Sequence, residues 1–413
     1  MTIKRASSPH YIFLYLFTAS CMLFWWLPTL LFYLLPNPPS LLGPEQPDTL
    51  LISVLAWITF ALGYILASDT RIVIVSTSET TLENVAVVSK LAAIVLGVSC
   101  LPIAVSFSIE RMHSIYGQGN GLPPIYQVFF YSQLICFITY MASTNDKDTD
   151  PVVFWAITSL SVAIRLVVSL FWGRFFLAQA ILPVILIISA RKWFRGFMML
   201  SAVGAVLAVA VVFGPTLTRG DFALLEAHTR SPILGLIVYG STLKLFTMYR
   251  HLDLSGYCNP LFVSSTDYII PFHYLHVCTM DVWRRNLPAT LDRILARKEM
   301  GPVAAYWSLH GPGSNYILEL YLCLGGTSSV LLGSFAFGIV ESLFFGALGT
   351  RTMWGAVFCE SLSRGLLAPR ANIGYVFDFI PVETAVIVAL WLGAALLAGR
   401  GPVAEHLSRQ YLE

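Results

Sequence analysis

Long apolar stretches separated by short polar turns dominate this chain. They cover residues 11–35, 50–67, 91–107, 125–141, 152–171, 175–189, 197–213, 328–348, 353–366 and 375–397. A helix needs roughly 20 mostly apolar residues to cross the hydrocarbon core of a bilayer. The pattern therefore predicts an all-α, polytopic transmembrane bundle of about ten spans. The turns fit that reading: residues 37–48 are rich in proline and hold no Lys or Arg, residues 117–124 form a Gly/Pro turn, and Trp172-Gly173-Arg174 leaves almost nothing to spare between two spans.

One interruption breaks the rhythm. From 215 to 326 the sequence becomes mixed, opening with Arg219, Asp221, Glu226, His228 and Arg230 and closing with Asn315, Glu319 and Tyr321. Within it, residues 232–249 are apolar with isolated polar positions. Leu287, Leu291, Ile294 and Leu295 recur at helical spacing opposite Asp292, Arg293, Arg297 and Lys298. Helices of this kind lie in the membrane interface. The chain thus divides into an N-terminal bundle of seven spans (1–214), a helical loop (215–326), and three spans with a tail (327–413).

Composition sharpens the class. Of 413 residues 56% are hydrophobic and only 12% charged, with a mean hydropathy of +0.72, whereas soluble domains carry about 25% charged residues. A net charge of +2 gives no reason to invoke nucleic acid. The positions of the basic residues say more. Arg191, Lys192 and Arg195 mark a cytoplasmic loop, and Arg400, His406 and Arg409 a cytoplasmic tail. Lys4 and Arg5 precede a first apolar run too long for a signal peptide, which reads as an uncleaved span. Alternation then puts both termini in the cytoplasm and the loop 215–326 outside. The loop 145–150, with Lys147 its only basic residue, is a mild exception.

The seven cysteines (Cys21, Cys100, Cys136, Cys258, Cys278, Cys323, Cys359) contain no CxxC pair, so neither a zinc site nor a redox motif is indicated. Most read as buried helix residues. Cys258 and Cys278 share the long loop and could pair if it faces an oxidising compartment. His273 and His276 lack a carboxylate at helical spacing, and no metal site is expected there.

Charges within spans cost about 2.5 to 3.5 kcal/mol each on insertion scales. There are four candidates: Arg165, Glu341, Glu360 and Arg364. Glu360 and Arg364 stand four apart with the acid first, the favourable order for a pair on one helix face. Arg364 also belongs to Ser363-Arg364-Gly365, followed by Pro369 and Arg370, which would place it at the outer end of a span where an anionic headgroup sits. Arg165 lies about two turns from Arg174, so it can snorkel to the outer interface. Arg174, held beside Gly173, can bind phosphate at two points. Glu341 has no partner nearby in sequence.

The run Gly313-Ser314-Asn315-Tyr316-Ile317-Leu318-Glu319-Leu320-Tyr321, then Gly325-Gly326 and a late span, together with Arg174 and Ser363-Arg364-Gly365, resembles the oligosaccharide repeat unit polymerases, the Wzy-type O-antigen and exopolysaccharide polymerases. The resemblance covers about residues 165–378, and the first four spans match only as hydrophobic segments. It implies a GT-C-like membrane glycosyltransferase without metal or other cofactor, in the bacterial cytoplasmic membrane. The substrate would be an undecaprenyl-diphosphate-linked oligosaccharide, and a chain-length regulator a possible partner. The family's arginine roles carry over to Arg174 and Arg364, with Arg165 and Arg370 as further diphosphate-binding candidates. Guanidinium groups in a water-poor site can stabilise a diphosphate leaving group, while a carboxylate or imidazole assists the acceptor hydroxyl. Glu319, from the motif, and Glu226 or His228, from the loop entrance, are the candidates for that second role; Asp267 and His310 are also available.

Two rival functions remain. An O-antigen ligase shares architecture and donor but delivers glycan to a lipid A core. A transporter or flippase would line a midplane cavity with charge and show two repeat-related halves, and no repeat is evident. A metal-dependent lipid-linked transferase would, by family resemblance, carry adjacent acidic residues in the first outer loop, where this chain has only Glu45 and Asp48.

Overall fold

A computed structural model describes residues 8–34, 47–70, 78–113, 124–144, 150–171, 175–191, 315–317, 320–321, 326–369, 376 and 380–410. Regular structure among the described residues is entirely helical. The helices are α1 (Ser8–Cys21), continued through a π turn at Met22–Trp26 into α2 (Leu27–Leu34), then α3 (Pro47–Ala67), α4 (Glu79–His113), α5 (Pro124–Ser143), α6 (Pro151–Phe171) and α7 (Phe175–Ala190). After the long loop come α8 (Thr327–Leu348), α9 (Gly355–Gly365) and α10 (Ile380–Gln410). Six helical segments among the described residues are long and apolar enough to cross a membrane. The chain is a multi-pass, helical membrane protein.

The expected spans at 11–35, 50–67, 91–107, 125–141, 152–171, 175–189, 328–348 and 375–397 all fall on helices. The span expected at 353–366 is different. Its helix α9 has 11 residues, a rise of about 16 Å against a hydrocarbon core of roughly 30 Å. The span at 197–213 and nearly all of the loop 215–326 lie outside the described residues.

The chain forms two compact units. Unit 1 comprises 1–70, 222–343 and 364–379, and so holds α1 to α3 and most of α8. Its core is aromatic. Phe17 stacks on Phe60 with centroids 3.9 Å apart, and Phe337 meets Phe60 at 5.4 Å. Two indoles tie the first helix to α3: Trp26 Nε1 donates to Ser53 Oγ at 3.1 Å and Trp57 Nε1 to Thr18 Oγ1 at 3.1 Å. Helices α3 and α8 approach backbone to backbone. A Cβ on Gly63 would overlap the Phe335 carbonyl, and one on Gly338 would overlap that of Phe60. In lipid, where apolar surface gains nothing by leaving solvent, close packing through small residues is a main source of helix association.

Unit 2 comprises 71–221, 344–363 and 380–413, with α4 packed against α5, α6 and α10. Helix α4 begins twelve residues before the expected span, because the polar stretch is itself amphipathic: Leu82, Val85, Ala86 and Ser89 are buried and Glu83 is exposed. Ser78 caps it, accepting the Thr81 N–H at 3.2 Å. Asp150 caps α6 through the Val152 N–H at 2.8 Å, with Pro151 at the first helical position.

The C-terminal end of α5 is closed by two arginines from distant segments. Arg191 donates to the carbonyls of Met141 (3.0 Å), Thr144 (2.9 Å) and Ala142, and Arg351 to that of Ser143 (3.0 and 2.8 Å) while pairing with Glu79. Carbonyls left open by the helix end are thereby satisfied, and the cations complement its dipole. Four turns expected on one side of the membrane, near Glu79, Ser143, Arg191 and Arg351, meet at this point.

Replacing Gly338 by Val is expected to destabilise the protein by at least about 1 to 3 kcal/mol, seen as a lower thermal midpoint in detergent. Gly393→Ala serves as the control: its Cβ would meet only Val88 Cγ1, at 3.5 Å, and the midpoint should stay or rise.

Candidate functional site

Within unit 1, two short segments meet among the helices. The first leads into α8. Gly326 has φ +83°, a left-handed conformation that suits glycine, and its N–H bonds to the Tyr321 carbonyl at 2.9 Å. Upstream of it, Asn315 and Tyr316 are fully buried. The Tyr316 ring packs against Trp25 (5.7 Å), Phe337 (5.5 Å) and Phe17 (6.4 Å), and Ser334 Oγ donates to its hydroxyl at 3.4 Å.

The second segment is the end of α9. There the chain turns, with the Leu367 N–H on the Arg364 carbonyl (2.9 Å) and the Ala368 N–H on that of Gly365 (3.0 Å). The next two carbonyls are taken from outside the turn: Tyr316 N–H donates to Ala368 at 3.1 Å and Trp25 Nε1 to Pro369 at 2.9 Å. A hydrogen bond thus joins the two sequence motifs, one at Asn315-Tyr316 and the other running from Arg364 to Pro369.

Glu341 completes the cluster. It is fully buried, and neither carboxyl oxygen has a hydrogen-bond partner among the described residues. It lies on Gly365: a Cβ there would stand 2.7 Å from Oε1 and 2.8 Å from Oε2. Tyr64 of α3 is within electrostatic range of it. Ser334 stands seven residues before Glu341, two turns along the same face of α8.

This geometry fixes the depth of Arg364. Glu341 is the fifteenth of the 22 residues of α8, so Gly365 lies about 21 Å along the helix axis from Thr327. Arg364, 1% exposed, is therefore sunk within the bundle and not at a headgroup-level helix end. Its position in the last turn of α9 suits a cation.

Arg165, in unit 2, departs from expectation in the same way. It does not snorkel: it is 1% exposed, and its guanidinium donates to the Phe130 carbonyl of α5. The reason is a polar interior. Gln133 Nε2 donates to Ser161 Oγ at 2.7 Å, and the Tyr131 hydroxyl donates to Glu383. Cys359 lies within electrostatic range of Glu360 and Glu383. Sequence reasoning misses Glu383, a buried acid in the first turn of α10, although the cost rule that picks out the other four charges applies to it equally.

Arg174, Arg370, Glu319, Glu226 and His228 lie outside the described residues, as do Cys258 and Cys278. Cys21, Cys100, Cys136 and Cys359 are buried and unpaired as thiols. No protein-family model matches the chain, and neither a curated protein nor a solved structure matches it.

Chemically, the unit 1 cluster offers a guanidinium beside a helix break and a carboxyl with unused hydrogen-bonding capacity, both walled off from water. Gly365→Ala is expected to lower stability by about 1 to 3 kcal/mol through overlap with that carboxyl. In the double variant with Glu341→Ala the loss should be smaller than the sum of the two singles, measured as a coupling in thermal unfolding.

Proposed function

We propose that this protein polymerises undecaprenyl-diphosphate-linked oligosaccharide repeat units into a surface polysaccharide, acting at the outer side of a bacterial cytoplasmic membrane. The observation that carries this reading is the hydrogen bond from Tyr316 to Ala368, which links the Asn315-Tyr316 motif to the Arg364 turn. In the reading, Arg364 and Arg174 bind the donor diphosphate and stabilise the charge that develops as it leaves. No metal ion is needed for that role, because guanidinium groups match phosphate oxygens two at a time.

A second reading, transport of a lipid-linked sugar, is favoured by one specific observation. Helix α9 is half-length and ends deep in unit 1 beside a buried acid, as the broken helices of transporters do.

Deletion of the gene should leave single-repeat glycans where long chains stood. Complementation should fail with Arg174→Ala, and with Arg364→Ala the elongation rate should fall at least about 100-fold. Glycan ladders on gels and lipid-linked intermediates read by mass spectrometry check this. Long lipid-linked chains left unattached would establish the ligase reading, and single repeats retained on the cytoplasmic leaflet would establish transport.

A further inference from the structure

We propose that Trp25 is a positioning residue for the Arg364 turn, and that the π turn in the first helix is what aims it there. The assignment rests on the polymerase reading, in which Arg364 binds the donor diphosphate. Trp25 touches no substrate in this role: it is fully buried and acts through the backbone of the turn.

The first observation is how the turn is held. Its internal bonds, from the Leu367 N–H to the Arg364 carbonyl and from the Ala368 N–H to that of Gly365, set its shape. Where it stands is set by two donors from outside: the Tyr316 N–H on the Ala368 carbonyl at 3.1 Å, and Trp25 Nε1 on the Pro369 carbonyl at 2.9 Å, across 344 positions of chain. The two anchors form one block, because the Trp25 and Tyr316 rings pack against each other at 5.7 Å. A shift of Trp25 therefore shifts the backbone from which Arg364 extends.

The second observation is the irregularity of the first helix itself. Phe13, Phe17, Cys21, Trp25 and Thr29 are buried, a repeat of four residues. On a regular α-helix such a repeat drifts about 40° per step, which would carry its later members off the core. The π turn at Met22–Trp26, closed by the Leu27 N–H on the Met22 carbonyl, holds one extra residue and sets the stripe back by about 100°. Its cause is local: Pro28 has no N–H to give the Phe24 carbonyl, and its ring would crowd that carbonyl in a regular turn. Trp25 is the one buried residue of the five, and its carbonyl is held by the Thr29 hydroxyl at 2.7 Å. Turns of this kind inside α-helices recur at functional sites. Trp57 supplies the contrast, since its Nε1 donates to Thr18 Oγ1 at 3.1 Å and only ties one regular helix to another.

The test uses the purified full chain in lipid nanodiscs with the lipid-linked repeat unit as donor and acceptor. Trp25→Phe, which removes the N–H and keeps an aromatic ring, is expected to lower kcat per folded molecule about tenfold. Trp57→Phe, which removes an indole bond elsewhere in unit 1, should lower the thermal midpoint with kcat unchanged. In an Arg364→Ala background, Trp25→Phe should cost no further kcat while still lowering the midpoint, because its effect on rate passes through Arg364. A wild-type kcat in Trp25→Phe, or a tenfold loss that persists in the Arg364→Ala background, overturns the assignment and leaves the polymerase reading standing. A wild-type protein that never lengthens the glycan overturns both. If Trp25→Phe does not accumulate in the membrane, benzothienylalanine at position 25, which keeps both rings and puts sulfur in place of the N–H, carries the same test with the same outcomes.

Discussion

In a bilayer every backbone N–H and C=O must find its partner inside the protein, and this constraint organises both units. In unit 1, the chain leaves helical geometry after Gly365, and the carbonyls it exposes are claimed by the Trp25 indole and the Tyr316 amide. In unit 2, the end of α5 leaves its carbonyls open, and Arg191 and Arg351 close them. Irregular backbone at membrane depth is tolerated only where such donors are at hand. The aromatic cluster of Phe17, Trp25, Phe60, Tyr316 and Phe337 is thus more than packing, since two of its members also satisfy the break.

The same constraint explains where small residues matter. Gly63 and Gly338 bring α3 and α8 together, and Gly365 brings the α9 turn onto Glu341. The first two are interchangeable with the many small-residue contacts of membrane helices. Gly365 differs because the group it admits is a carboxyl. Within the same turn, Arg364 gains from the negative end of the α9 dipole.

Much of the architecture was legible in hydrophobicity alone, because crossing length and apolar content are properties of a local window. Eight of the ten expected stretches coincide with helices of matching position. What the window could not show was the half-length of α9: Met353 to Leu366 is apolar enough to pass for a span, and only the turn at Leu367 and Ala368 reveals the break. The site was legible in part. Motif reasoning picked out Asn315, Tyr316 and Arg364, but their union depends on a hydrogen bond spanning 52 positions, from Tyr316 to Ala368, which no local pattern encodes. Glu341 stood out as a charge without a sequence partner, and the structure leaves it without a hydrogen-bonding one among the described residues. Arg165 and Arg364 looked alike as intramembrane arginines. The first gives a donor to a carbonyl of a neighbouring helix, whereas the second ends a helix at a junction of motifs.

Under the proposed reading, depth within the bundle answers a problem specific to polymerisation. The activated donor can pass its sugar to water as readily as to another sugar, so an enzyme that builds chains must keep water from the anomeric carbon. A site at a headgroup-level helix end would be wet, and the charge of a guanidinium there would be screened. A site walled by Trp25, Tyr316 and Phe337 excludes solvent, and the low dielectric strengthens each interaction with the leaving diphosphate. That benefit has a cost, since an acid and an arginine must be held in a place that disfavours charge. Retaining Glu341 there makes physical sense if a ligand that carries hydroxyl donors completes the arrangement when it binds.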